Sequence, residues 1–243
     1  MVFMSIKKIE SKRILGVTLA RGGSKSVKKK NIVELGGRPL IAYTIQEVLK
    51  SKYITDYIVS TDDIEIKKIS EFHGANVPFL RPELLSTDYS TSADALSHAL
   101  SFMEDLNKEK YDLVIELMAT NPFKTSVDID KCIELLIHKN CDSVIAINRV
   151  IENHPARIKK IIDGKILDFC VEEIPESRRQ DLTPYAYVRS GAIYALNRDW
   201  FVASKKRYGS NNSYAYILDD EKAVNIDSKM DLEFAKFLLN KKE

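Results

Sequence analysis

Cysteine is scarce in this chain of 243 residues: it has three, Cys132, Cys141 and Cys170, and no two of them form a C-x-x-C pair. The odd count and wide spacing exclude a disulfide framework and a structural zinc ribbon, and they point to a reducing compartment, the cytoplasm. Histidine is as rare, and His73, His98, His138 and His154 stand at no metal-ligand spacing. No apolar run approaches the roughly 20 residues needed to span a bilayer. Residues 1–8 lack a long apolar core before a cleavage site, so we expect a loose leader and no signal peptide. A formal net charge of +2 provides no overall field for nucleic acid or an anionic membrane. Internal repeats and low-complexity segments are absent. So are G-x-x-x-x-G-K-[ST], G-x-G-x-x-G and G-x-S-x-G, which excludes a Walker P-loop, a dinucleotide fingerprint and a hydrolase nucleophile elbow.

What the chain has is the composition of a soluble α/β protein, 44% hydrophobic and 30% charged. The length suits one large domain with a lobe. Residues 13–19 read as a buried strand, 39–52 as a helix, 56–60 as a strand and 64–73 as a helix capped by Thr61-Asp62-Asp63. Strands at 76–80 and 111–118, helices at 92–106 and 127–139, and a strand at 142–148 continue the alternation. That order predicts a mostly parallel sheet covered on both faces, with ligands outside the carboxyl ends of its strands. Loops 21–31, 61–63 and 120–124 should converge there. After residue 148 the pattern changes. Residues 158–169 read as a hairpin around Asp163-Gly164, a type I′ signal. We expect residues 149–188 to project as a lobe that packs on a second subunit, because a lone ribbon is marginal. Strands at 187–196, 214–218 and 223–226 and a helix at 231–240 complete the chain.

The most informative stretch is Leu19-Ala20-Arg21-Gly22-Gly23-Ser24-Lys25, followed by Lys28-Lys29-Lys30-Asn31. Two glycines after a buried strand let backbone N–H groups approach a ligand, and the cations around them suit an anion. A triphosphate is the anion we expect there. Asp227, at the expected end of a strand, could hold Mg²⁺ against phosphates.

These residues resemble the signature of the acylneuraminate cytidylyltransferases, the CMP-sialic acid synthetases. Gly37-Arg38-Pro39-Leu40-Ile41, Val59-Ser60-Thr61-Asp62-Asp63, Val77-Pro78-Phe79-Leu80-Arg81-Pro82-Glu83-Leu84, Arg178-Arg179-Gln180-Asp181-Leu182, Gly191-Ala192-Ile193-Tyr194 and Ile226-Asp227 fit in order and spacing. The resemblance implies a three-layer α/β sandwich with a mixed, mostly parallel central sheet, of the nucleotide-diphospho-sugar-transferase kind. It implies transfer of CMP from CTP to a nine-carbon 2-keto sugar acid, with Mg²⁺ and a homodimer. Leu19, Ala20, Arg21, Lys25 and Asn31 would then contact CTP, and Arg81 and Ser92 would flank the cytidine. Arg21, Lys30 and Asp227 would serve the chemistry, Asp227 and Asn225 the metal. Met118, Thr120, Arg178, Arg179, Gln180 and Ser190 would face the sugar, the arginines reaching its carboxylate from the lobe. Three positions depart from the family pattern: Met118 for glutamine, Ser190 for asparagine and Asn225 for aspartate. The first two favour a variant sugar of the legionaminic or pseudaminic type. Another acid sugar, such as a 3-deoxy-octulosonate, another nucleoside triphosphate, or an inactive nucleotide-binding scaffold are the alternatives.

Overall fold

The computed structural model describes residues 9, 11–24 and 26–241. The expected leader and Lys25 lie outside the described residues. In chain order the strands are β1 (Ile14–Leu19), β2 (Glu34–Leu35), β3 (Arg38–Pro39), β4 (Asp56–Ser60), β5 (Leu113–Leu117), β6 (Ser143–Val150), β7 (Lys159–Ile162), β8 (Lys165–Asp168), β9 (Ala186–Asn197) and β10 (Ser213–Ile217). Six of them form one sheet in the order β10-β6-β9-β5-β1-β4. β1 runs parallel to both β4 and β5, and β10 runs parallel to β6. β9 runs antiparallel to β5 and to β6, which makes the sheet mixed. The expected α/β architecture is therefore present.

Alternation along β1 and β5 sends side chains to two apolar layers. On one face Ile14, Ile115 and Leu117 pack under Ile41, Ile45 and Val48 of the helix Leu40–Leu49 and Ile129, Ile133 and Leu136 of the helix Ser126–Lys139. On the other, Leu15, Val17 and Val114 meet Leu96, Leu100 and Met103 of the helix Ser92–Asn107. A third cluster seats the last helix, Lys229–Asn240, through Leu232, Ala235 and Leu238 on Leu35, Leu40 and Ile226. β1 has β4 on one side and β5 on the other, so the chain changes direction across the sheet at β1. The crevice at such a switch point is where an open α/β sheet binds ligands.

Several elements differ from the sequence expectation. Residues 76–80 supply two isolated bridges, Ile58 with Asn76 and Thr61 with Leu80, and no full strand. Residues 223–226 form no strand, because their backbone bonds elsewhere: Asn121 Nδ2 donates to Val224 O and Ile226 N donates to Thr120 O. A helix unforeseen in the sequence, Arg198–Ser204, opens on Asn197, whose side chain accepts from Trp200 N. The hairpin β2–β3 turns on Gly36 and Gly37 at φ of 55° and 73°, and its four paired residues are too few to read as strands. The hairpin β7–β8 is as expected, with Asp163 and Gly164 at φ of 51° and 76°, a type I′ turn. It forms its own two-stranded sheet and leaves Ile161, Ile166 and Ile174 about three-quarters exposed, at 75%, 73% and 76%.

Candidate active site

The basic loop leaves β1 at Leu19 and crosses the ends of β4 and β5. Gly22 N donates to Asp62 Oδ1 at 3.0 Å, which joins this loop to the one after β4. A Cβ on Gly22 would lie 2.6 Å from Asp63 Oδ2, so glycine is required here by close approach. Neither Gly22 nor Gly23 adopts a positive φ, so the conformational freedom expected of them is not what the loop uses. Asp63 caps the helix Ile64–Phe72, accepting from Glu65 N and Ile66 N. Arg21 reaches across the cleft mouth to Thr87 O at 2.9 Å and Asp88 Oδ1 at 3.0 Å. Asn31, buried at the start of a short 3₁₀ turn, donates to Arg21 O at 2.9 Å and holds the loop closed.

A cleft of about 430 Å³ opens beside this loop, lined by Leu19, Arg21, Lys30, Asn31, Arg81, Ser92, Met118 and Thr120 among others. Arg81 is 6% exposed, and its backbone N donates to Thr61 O at 2.7 Å. Its guanidinium stands 4.0 Å from Asp62, and Nε and Nη2 have no hydrogen-bond partner. Burial and, less strongly, Arg21 pull its pKa down from the ordinary value, and Asp62 pulls it back up. A guanidinium remains charged under such a shift. Unpaired buried donors are costly, and both nitrogens lie out of solvent contact in this structure. Behind it, His98 packs edge-on against Phe79 at 4.8 Å. Burial first, then Arg81, pushes its imidazole towards the neutral form.

The far wall is the turn after β5. Met118 N donates to Ala192 O at 3.2 Å, and Thr120 O receives Ile226 N at 2.9 Å. Thr120 Oγ1 and Asn121 Oδ1 are buried without partners. Asp227 follows directly after Ile226 and accepts from Lys30 Nζ at 2.7 Å. This pair closes a contact between residues 197 positions apart and ties the basic loop to the last helix. Asn225 Nδ2 donates to Asp227 Oδ2, while Asn225 Oδ1 has no partner.

Against known proteins, a cytidylyltransferase family profile matches residues 15–237. The chain belongs to the cytidylyltransferase family. It is 33% identical to a pseudaminic acid cytidylyltransferase of Campylobacter jejuni over 220 residues, 90% of this chain and 93% of that protein. It is 33% identical to an N-acylneuraminate cytidylyltransferase of Escherichia coli over 95% of this chain, and spans about half, 53%, of that relative. A solved CMP:2-keto-3-deoxy-manno-octonic acid synthetase complexed with CTP has the same fold, with a TM-score of 0.70 at 17% identity, covering 95% of this chain and 100% of that one.

In this cytidylyltransferase most of the expected residues lie at one place. Leu19, Arg21, Lys30, Asn31, Arg81, Ser92, Met118 and Thr120 share the cleft, and the Lys30–Asp227 pair stands at its edge. Ala20 is fully buried and packs in the opposite layer. Ser190 is buried, its hydroxyl donating to Ala146 O at 3.0 Å, with Gly191 beside it at φ 78°. A Cβ on Gly191 would press on Met118 Sδ at 3.3 Å. Arg178, Arg179 and Gln180 lie on an exposed 3₁₀ turn away from the cleft, Arg178 pairing with Asp181 at 2.6 Å and Arg179 with Glu152. Nothing in this single chain brings them to the other site residues.

Two groups escaped the sequence reading. Lys124 is buried under the turn 118–121. Glu116, fully buried on β5, accepts from Arg207 Nη1 at 2.7 Å, and Arg207 lies over the Tyr194 ring at 4.7 Å. Burial pushes the Glu116 carboxyl up and Arg207 draws it back down. A glutamate inside the most apolar strand was the available signal.

No group of three or more histidine, cysteine, aspartate or glutamate side chains suited to a metal occurs among the described residues. Asp227 Oδ1 accepts from Lys30 and Oδ2 from Asn225, and a carboxylate beside an amide is a donor set that suits Mg²⁺, which takes one or two protein oxygens and completes its shell with phosphates and water.

Proposed function

We propose that this cytidylyltransferase joins CMP to the anomeric hydroxyl of a nonulosonic acid. The sugar oxygen attacks the α-phosphorus of CTP. The bond from that phosphorus to the bridging oxygen breaks, pyrophosphate leaves, and the sugar hydroxyl gives up its proton to solvent or a base. The observation that carries this reading is the convergence of Arg21, Lys30 and Arg81 on one cleft in a chain of this family.

The roles follow from charge and reach. Arg21 and Lys30 neutralise phosphate charge as it builds on the leaving group, which positioned cations do best in a water-poor site. Arg81 and Ser92, both on the cleft lining, would flank the cytidine. Asp227 and Asn225 would hold Mg²⁺, and Lys30 would move from Asp227 to phosphate as the nucleotide enters. Bound there, the ion would supply electrostatic stabilisation of the phosphates. Met118 and Thr120 face the sugar, and Met118 in place of an amide favours a sugar of the pseudaminic or legionaminic type. The two relatives above, named for pseudaminic and N-acylneuraminic acids, support the wider nonulosonic class. Arg178 and Arg179 would reach a sugar carboxylate in the partner subunit of a homodimer, a bidentate contact for which arginine is suited. We place the enzyme in the cytoplasm, where its free cysteines remain reduced; no helix among the described residues is long and apolar enough to cross a membrane.

Pyrophosphate release with CTP, Mg²⁺ and a panel of pseudaminic, legionaminic, N-acetylneuraminic and 3-deoxy-octulosonic acids tests the reading. Release with at least one nine-carbon acid is expected. Turnover of the octulosonate alone would replace the sugar class. Asn225 supports a second reading, a nucleotide-binding scaffold: tight CTP binding with no pyrophosphate from any sugar would establish it.

A further inference from the structure

Beneath the cleft lies a charge that the chemistry above does not use. Lys124 is 1% exposed, and its ammonium donates to Thr44 Oγ1 at 2.7 Å, Met118 O at 2.7 Å and Asn121 O at 2.8 Å. An ammonium has three N–H donors, and each is matched. Two of the acceptors are the carbonyls at the two ends of the turn 118–121. That turn holds two other segments, 190–192 and 224–226. Met118 N binds Ala192 O, Asn121 Nδ2 binds Ser190 O and Val224 O, and Thr120 O binds Ile226 N. Met118 and Thr120 on the cleft wall, and Asp227 next to Ile226, therefore depend on the shape of this turn.

Stability alone does not call for a lysine here. Burying an ammonium is costly, and a well-packed apolar side chain often does as well or better in such a place. Burial draws this ammonium down to about 7, with Glu47 of the helix Leu40–Leu49 raising it. Three oxygens receive its N–H donors, and the group fixes their positions in return. Resting on the transfer reaction proposed above, we infer that Lys124 is a positioning residue: its ammonium sets the turn 118–121 so that Thr120 and, through Ile226, Asp227 meet the reacting groups.

The test compares wild type, Lys124→Met, Lys124→Arg and Thr44→Val by kcat, by KM for the sugar and by calorimetric Kd for CTP. Arg21, Arg81 and Ser92 do not hang from the turn, whereas Asp227 does, so CTP affinity measured without Mg²⁺ should stay within about threefold in Lys124→Met. Its kcat should fall about a hundredfold, the scale of a misplacement of about 1 Å. Lys124→Arg restores a cation with donors for the same carbonyls and should recover most of that loss, which a purely volume-filling role would not predict. Lys124→Met with wild-type kcat overturns the inference, as does a CTP affinity that collapses in parallel with kcat. If Lys124→Met does not fold, Thr44→Val decides, because it removes one acceptor of Lys124, together with the 3.3 Å bond from Thr44 Oγ1 to Met118 O, and keeps the lysine. A drop in kcat of about threefold or more at unchanged CTP affinity supports the inference, on the scale of one lost hydrogen bond, and an unchanged kcat overturns it. A wild-type chain that turns over no sugar ends the transfer reading and this inference with it. An active wild type beside an equally active Lys124→Met ends the inference alone.

Discussion

Arg21 and Arg81 are held in different ways, and the difference sets what their loss should do. Arg21 is paired with Thr87 O and Asp88, contacts it can exchange for phosphate. Arg21→Ala should cost about 2–4 kcal/mol of transition-state stabilisation, read as kcat/KM, the range for one preorganised electrostatic contact. Wild-type rates in that variant would show that the loop does not hold the triphosphate. Lys124 supplies a pH signature. Burial pulls its ammonium from the ordinary 10.5 to about 7. Between those values the unfolded chain carries more protons on this group than the folded one, so its contribution to stability rises with pH. Relative to Lys124→Met, the wild type should gain stability from pH 7 towards pH 10 and hold a constant offset below pH 7. Urea midpoints across that range measure it, and a gap that narrows with rising pH contradicts it.

Secondary-structure elements position the site through their ends. Asp227 lies just before the capping box of the last helix, in which Ser228 and Asp231 satisfy each other's backbone N–H groups. Asp231 Oδ2 also accepts from Asp227 N at 3.0 Å, so the cap holds the carboxylate assigned to the metal. Ser228→Ala should lower stability by about 1 kcal/mol, the usual cost of an N-cap, and a thermal melt detects it. On β5, Arg207→Met would leave Glu116 buried without its partner. Losses of about 3–5 kcal/mol follow from breaking such a pair. A near-neutral Arg207→Met in chemical denaturation would mean that Glu116 is already protonated in the fold. Elements of this kind were unevenly legible. The helix Ser92–Asn107 repeats apolar residues at helical spacing and is visible in the sequence. The helix Arg198–Ser204 is short and rich in Trp, Phe and Val, and only its Asn197 cap hints at a helix.

At the scale of the molecule, the segment between β6 and β9 stands outside the six-stranded sheet with a row of bare isoleucines. On the homodimer proposed above, this apolar surface would be the contact with the second copy. A dimer is expected, and Ile161→Asp with Ile166→Asp should convert it to monomer by light scattering at micromolar concentration while CTP binding survives. A wild-type monomer at that concentration would leave Arg178 and Arg179 without a site to reach.

The sequence by itself determined the layered α/β architecture, because strand and helix periodicities alternate with capped ends. It also located the basic loop, because a glycine pair among cations is a local signal. The tertiary structure decided the rest. Lys30 meets Asp227 only because the first and last thirds of the chain fold onto one edge of the sheet. Gly22 is needed for its lack of a side chain beside Asp63. Lys124, in sequence one more lysine after a proline, becomes the buried cation that ties Thr44 to the two ends of one turn. Such roles arise from distances between remote residues, and no local pattern of residue types encodes them.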